Sequence, residues 1–417
     1  MTNSRKKIKL STKMIVASVL GIVFGLIFGP AMGNIKFLGD IFLRLMQMSV
    51  VFLVMGAISE AIGSLDMKDI GKLGGKTIGL FVVSTLFASF VGVILSIIIR
   101  PGVGVTGVEA AAYEGTLPEG NPLDLLVNFF PKNIVESMSS GAILQVIVFS
   151  IFLGLALSMM KNEKHGEAIL GLIKSFNVVI MQIIKIIMNY APVGIFALVA
   201  SITGTSGINM LAALGKFLIA LTVGCLAVLA LMILITSAYG KLNPYRLFKK
   251  LNNTIVVAVT TTSSAVSLPV QMEDAEQRIG VSRRVSRLVN PLGMNLNSHG
   301  LAITVAVACV TVAQFFNIEM TLSNYILFGV MSTLATFANL AVPGGALVTM
   351  AIGFQMAGLP LEGVAIMAGV DWFAGIIRTL LNVVDDVLIS VIVAISEKEL
   401  DMDVFNSDEP VMIAEVE

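Results

Sequence analysis

Residues 369–394 read GVDWFAGIIRTLLNVVDDVLISVIVA, and this stretch decides the fold. Arg378 lies in an apolar run from Gly369 to Ile395, where Asp371, Gly375, Arg378, Asn382 and Asp386 follow at intervals of 4, 3, 4 and 4. On a helix that spacing places all five on one face. A charge at the centre of a bilayer helix costs about 2.5–3.5 kcal/mol on insertion scales. An Arg, an Asn and acids kept in one stripe there are expected to line a polar site. The alternative is an Arg paired internally for structure.

Composition makes the membrane setting firm. Of 417 residues, 56% are apolar and 13% charged, about half the charge of a soluble domain. This predicts an all-α polytopic membrane protein. No basic patch with interleaved aromatics points to nucleic acid. Cys225 and Cys309 lie in separate apolar runs and form neither a disulfide framework nor a metal motif. The basic start MTNSRKKIKLSTK leads into a long apolar run with no small-residue cleavage site, so it is read as a retained first span.

Eight spans are predicted, near 12–32, 37–64, 73–99, 140–160, 167–204, 209–239, 284–316 and 361–396. Two further apolar segments, 245–278 and 322–357, are interrupted at their middles. The first carries Thr260 to Ser264 with Pro269 beyond, and the second carries Val342-Pro343-Gly344-Gly345. If both turn back as re-entrant hairpins, the basic groups at 5–9, 68–76, 161–164, 241–250 and 278–287 share one side. The positive-inside rule makes that side cytoplasmic. If they crossed, the helix count would be ten and the run 278–287 would face outward. Non-helical backbone at membrane depth is tolerated where it lines a cavity, so the two breaks predict a site between hairpin tips, the logic of secondary transporters. A third interruption, from Asn290 to Gly300, predicts an unwound stretch whose carbonyls could ligate a small cation.

The ordered series NYAPVGIFALVA, TTTSSAVSLPV, PLGMNLNSHG, VPGGA and D-x6-R-T-x2-N-x3-D resembles the dicarboxylate/amino acid:cation symporter family, the glutamate transporter homologues. The resemblance covers most of the chain. It implies eight transmembrane helices plus two re-entrant hairpins in inverted repeats, working as an elevator in a homotrimer of the cell (inner) membrane, with both termini cytoplasmic. It implies a scaffold from 1–72 and 126–207, a transport part from 73–125 and 208–396, and an acidic tail from 397–417 that reads as disordered. Substrate would lie between the hairpin tips. Ser263, Ser264 and the backbone at Val342 and Gly344 would hold one carboxylate, Arg378 a second, and Asn382 would add a polar contact. A sodium ion would take backbone oxygens of Gly293, Asn297 and Asn382 with the Asp386 carboxylate. Elementary physics agrees for the anion: helix N-termini attract carboxylates, and Arg offers them a planar fork.

The chain departs from the family pattern in four places. Where amino-acid carriers place an Asp one turn before the Arg, this chain has Gly375, which favours a dicarboxylate over an amino acid or cystine. The family's Asn-Met-Asp-Gly is Asn297-Ser298-His299-Gly300, and the partners expected in the third span are Phe81, Ser84 and Thr85. At least one sodium site is therefore expected to be lost. His299 then either carries a proton, since imidazole titrates near neutral pH, or is a neutral core histidine. Leu301 makes the distal pocket less polar. Thr262 and Ile376 stand where relatives carry a further Arg.

These residues predict a symporter for a small anion, coupled to sodium, protons or both. A passive anion channel is the alternative of another class. No paired catalytic carboxylates, metal cluster or Ser–His–Asp set predicts an enzyme.

Overall fold

A computed structural model describes residues 10–64, 67–105, 127, 130–160, 163–207, 209–337 and 345–407. Its described residues are helical and carry no strand, only one antiparallel bridge between Val281 and Leu400. Among the described residues, six stretches are long and apolar enough to cross a membrane: Thr12–Leu45, Leu73–Ile99, Lys164–Thr205, Asn209–Gly240, Arg283–Phe315 and Asp371–Glu397.

The first helices are α1 (Leu10–Phe28), α2 (Lys36–Gly63) and α3 (Met67–Ile99), with a 3₁₀ turn at Gly29–Ile35 between α1 and α2. Next come α4 (Ile134–Ser140), α5 (Ile143–Met159), the long α6 (Lys164–Ser206) and α7 (Asn209–Gly240). Helices α1 and α2 both pack along α6, and α2 also packs on α5. Asn177 of α6 donates to Glu60 of α2 at 2.6 Å, a polar tie inside this layer.

The first interrupted segment folds as α8 (Pro244–Lys250), α9 (Asn252–Thr261) and α10 (Ser264–Glu273). The break falls at Thr262, in left-handed backbone, and at Ser263, whose hydroxyl accepts from the Val266 N–H as the cap of α10. At the hairpin base, buried Asp274 accepts from the Thr254 N–H and hydroxyl at 2.9 and 2.8 Å and pairs with Arg278. That carboxylate satisfies orphan donors at the start of α9 and fixes the arms together.

Helix α11 (Arg283–Leu296) and helix α12 (His299–Phe315) are separated by Asn297 and Ser298 alone. The unwound stretch is thus shorter than the expected 290–300. Asn290 turns its amide back onto the Ser286 carbonyl and hydroxyl, holding the turn around Pro291.

Helices α13 (Leu322–Thr336) and α14 (Gly345–Ala357) pack on each other as the arms of the second interrupted segment. Its tip, with Val342, Pro343 and Gly344, lies outside the described residues. Then follow α15 (Glu362–Ala368), α16 (Asp371–Glu397) and α17 (Met402–Asn406). Helix α16 packs against α7, α9, α10, α11 and α12, and α3 packs against α7, α12 and α13.

The start of the acidic tail is folded, contrary to expectation. Lys398, in left-handed backbone, ends α16, and the chain returns to bond Gly280 and Ser282. Buried Lys250 donates to the carbonyls of Arg278, Val404 and Ser407 and sits over the Phe405 ring. Val404 and Phe405 give this segment apolar surface to bury, which a purely acidic tail would lack. Residues 408–417 lie outside the described residues.

Candidate functional site

The site is built where α16 crosses the break between α11 and α12. Helix α12 begins with free N–H groups, as any helix does. The Gly300 N–H donates to the Asn382 side-chain oxygen at 2.7 Å. Asn382, one turn below Arg378, thereby caps a broken helix from its neighbour. The approach requires Gly300: a Cβ there would come nearer than 3.0 Å to the Arg378 backbone. Because that oxygen is engaged, Asn382 has its amide NH2 to offer another partner.

One turn further, Asp386 is buried. Asn297 donates its amide to Asp386 Oδ1 at 2.8 Å and to the Asn382 carbonyl at 3.4 Å. Gln271, on α10, donates to Asp386 Oδ2 at 3.5 Å. Gly293 approaches so closely that a Cβ would collide with the same carboxylate. The predicted cation set, Gly293, Asn297, Asn382 and Asp386, is therefore brought together around one carboxylate. The Gly293 carbonyl accepts from the Asn297 N–H at 2.8 Å, and a carbonyl has a second lone pair for another partner. Gln271 was not predicted. Its one sequence signal is a polar residue in the return arm of a membrane hairpin.

Arg378 and Asp371 meet along the helix face. Arg378 Nη1 donates to Asp371 Oδ1 at 2.9 Å, with both side chains about seven-eighths buried (14% and 13% exposed). The guanidinium extends over Gly375, where a Cβ would stand 3.5 Å from Nη2. The bare position leaves room for it. The contact is a single hydrogen bond, not the two-pronged fork that Arg can make. Ser263 and Ser264 stand at the start of α10, and among the described residues no hydrogen bond joins them to Arg378.

Beside this cluster lies a second buried group. His299 Nδ1 is 2.6 Å from Asp385 Oδ2, and Nε2 is 2.7 Å from the Ser84 hydroxyl. The Ser84 oxygen is also 2.6 Å from the Leu80 carbonyl, which can only accept. Ser84 has one proton, which faces either the Leu80 carbonyl or the ring nitrogen according to the tautomer of His299. A proton must also lie in the Nδ1–Oδ2 contact, since a bare ring nitrogen and a bare carboxylate would repel. The sequence singled out His299 and Ser84 but missed Asp385, which is rotated about 100° from the Arg378 face.

A crevice lies elsewhere among the described residues: a cavity of about 780 Å³ between α2, α4 and α14, lined by Arg44, Met48, Phe52, Ser139, Ser140 and Gln355.

Comparison with known proteins identifies the family. The model of the sodium:dicarboxylate symporter family matches residues 10–396. A proton/sodium-glutamate symport protein of Bacillus caldotenax is 31% identical over 405 residues, 93% of this chain and 94% of the relative. A proton/glutamate-aspartate symporter of Bacillus subtilis (strain 168) is 30% identical, covering 93% and 95%. A C4-dicarboxylate transport protein of Anaeromyxobacter sp. (strain K) is 29% identical, covering 94% and 90%. With a family match over nearly its whole length, this chain belongs to the sodium:dicarboxylate symporter family, and is a multi-pass membrane transporter rather than an enzyme.

Proposed function

We propose that the protein imports a small dicarboxylate in symport with sodium. The observation that carries this reading is the bare Gly375 beneath the Arg378 guanidinium. An amino acid brings an ammonium that needs a carboxylate. The nearest other acid on that face, Asp371, is already paired with Arg378. The site thus offers an anion-binding fork and no free counter-charge for an amine. A substrate carboxylate takes the guanidinium edge that Asp371 leaves open. Ser263, Ser264 and the hairpin backbone at Val342 and Gly344 receive the other carboxylate, and the Asn382 amide adds a donor.

Sodium is assigned to Asp386 with the carbonyls of Gly293, Asn297 and Asn382. Their fit rests on chemistry: one carboxylate and several neutral oxygens suit a hard monovalent ion. Bringing a dianion into a negative interior costs about 2.3 kcal/mol per charge per 100 mV, and co-entering cations offset this. The His299–Asp385 pair carries its own proton, and we assign it a structural role in place of a second ion.

The wider mechanism belongs to the same proposal: a homotrimer in the cell membrane, both termini cytoplasmic, with an elevator-like transport part. Supporting the division, α1, α2, α5 and α6 pack mainly among themselves, as do α3, α7, α9 to α14 and α16, while the short α15 bridges α6 and α14.

Uptake into proteoliposomes tests the substrate. Succinate or fumarate should accumulate above the external concentration under an inward sodium gradient, with aspartate a poor competitor. Strong aspartate uptake without succinate uptake would return the protein to the amino-acid class. Equilibration without accumulation would make it a channel.

A further inference from the structure

Gln271 carries an arrangement that the assigned cation ligands do not account for. It is fully buried, on the face of α10 that meets α16. Its amide nitrogen reaches Asp386 Oδ2 only at 3.5 Å, the outer edge of hydrogen bonding. Its amide oxygen is buried and has no partner. Such groups are costly to leave unpaired and rare in folded proteins. The same deficit recurs at Asn297 Oδ1, so each of Asp386's two amide partners holds a buried oxygen without a donor, and a cation held by Asp386 would supply both with a partner.

We infer that Gln271 is a cation ligand: its side-chain oxygen turns toward a sodium ion held by Asp386, so that the ion ties the first hairpin to the last span. This rests on the sodium assignment above and adds a ligand from a different element. An amide presents either its NH2 or its oxygen to a site with a rotation of its plane. Without an ion, Asn297 and Gln271 turn their NH2 groups to the negative carboxylate. With one, the carboxylate and the Gln271 oxygen face the same charge. Sodium occupancy would then hold the return arm α10 against α16, making the hairpin's position sensitive to the ion.

The test reads ion binding without transport. The full chain, purified in detergent and free of substrate, is unfolded thermally across a sodium series, with choline holding ionic strength constant. A ligand that binds only the folded state raises the midpoint with its concentration. Gln271→Met keeps the length and removes the oxygen. It should raise the half-saturating sodium concentration by about tenfold or more, the usual range for a lost partner at a metal site. Gln271→Glu keeps an oxygen and adds charge, and should respond to sodium at least as well as wild type. If Gln271→Met does not fold, Gln271→Glu still decides, since a raised half-saturating concentration there overturns the assignment. A wild-type sodium response in Gln271→Met also overturns it. Equal loss in both variants assigns Gln271 to packing and likewise overturns it. A wild type that sodium does not stabilise overturns the sodium reading itself, and this ligand with it.

Discussion

Asp385 and Asp386 are neighbours in sequence, equally buried and on one helix, yet their surroundings are opposite. About 100° of helix rotation turns Asp385 toward His299, whose far ring nitrogen meets Ser84 of α3, and Asp386 toward the amides of Asn297 and Gln271. The first carboxylate meets an imidazole ring at 2.6 Å. Among the described residues, the second meets only the amides of Asn297 and Gln271. Burial alone therefore does not set what surrounds an acid; the helix face it occupies does.

The largest effect is expected at Arg378, which belongs to neither centre. Arg378→Ala should lower dicarboxylate uptake by about a thousandfold, as losing one partner of a buried charge pair does. The sodium-dependent rise in unfolding midpoint should remain. Loss of both would merge the substrate and ion sites into one. At the carboxylate among amides, Asp386→Asn should raise the sodium needed for half-maximal uptake by about a hundredfold. An unchanged sodium curve would remove Asp386 as a ligand. At the His299–Asp385 pair, Asp385→Asn should cost about 2 kcal/mol of stability, the scale of a charge-assisted hydrogen bond, seen as a lower unfolding midpoint. Its sodium dependence should stay near wild type. The smallest effect is expected for His299→Gln at saturating sodium. Uptake between about pH 5 and about pH 8 should keep the wild-type profile. A profile that flattens in the variant would assign proton carriage to the pair and erase the distinction between the two centres.

Much of this site was legible because helical periodicity is local. The stripe through Arg378, Asn382 and Asp386 follows from spacing alone, and α16 carries it. The breaks at Thr262–Ser263 and Asn297–Ser298 fall where polar and Gly-rich runs interrupted apolar sequence. Contacts between distant segments were not legible. Nothing in the spacing of His299 and Asp385 shows that two helices bring them to 2.6 Å. Gln271 is likewise hidden until the hairpin folds back on α16. Asp371 was read as one of a stripe, yet its partner is Arg378 two turns along, reached across a missing side chain. Counting acidic residues also misjudged the tail, since Val404 and Phe405 bury there.

The ammonium of Lys250 has mechanical meaning. It clasps the carbonyls of Arg278, Val404 and Ser407, stitching the chain's last described turn to the root of the first hairpin. A cut upstream of Val404 would remove two of these carbonyls from a cation buried from solvent. Any displacement of that root would carry the turn from Val404 to Ser407 along with it.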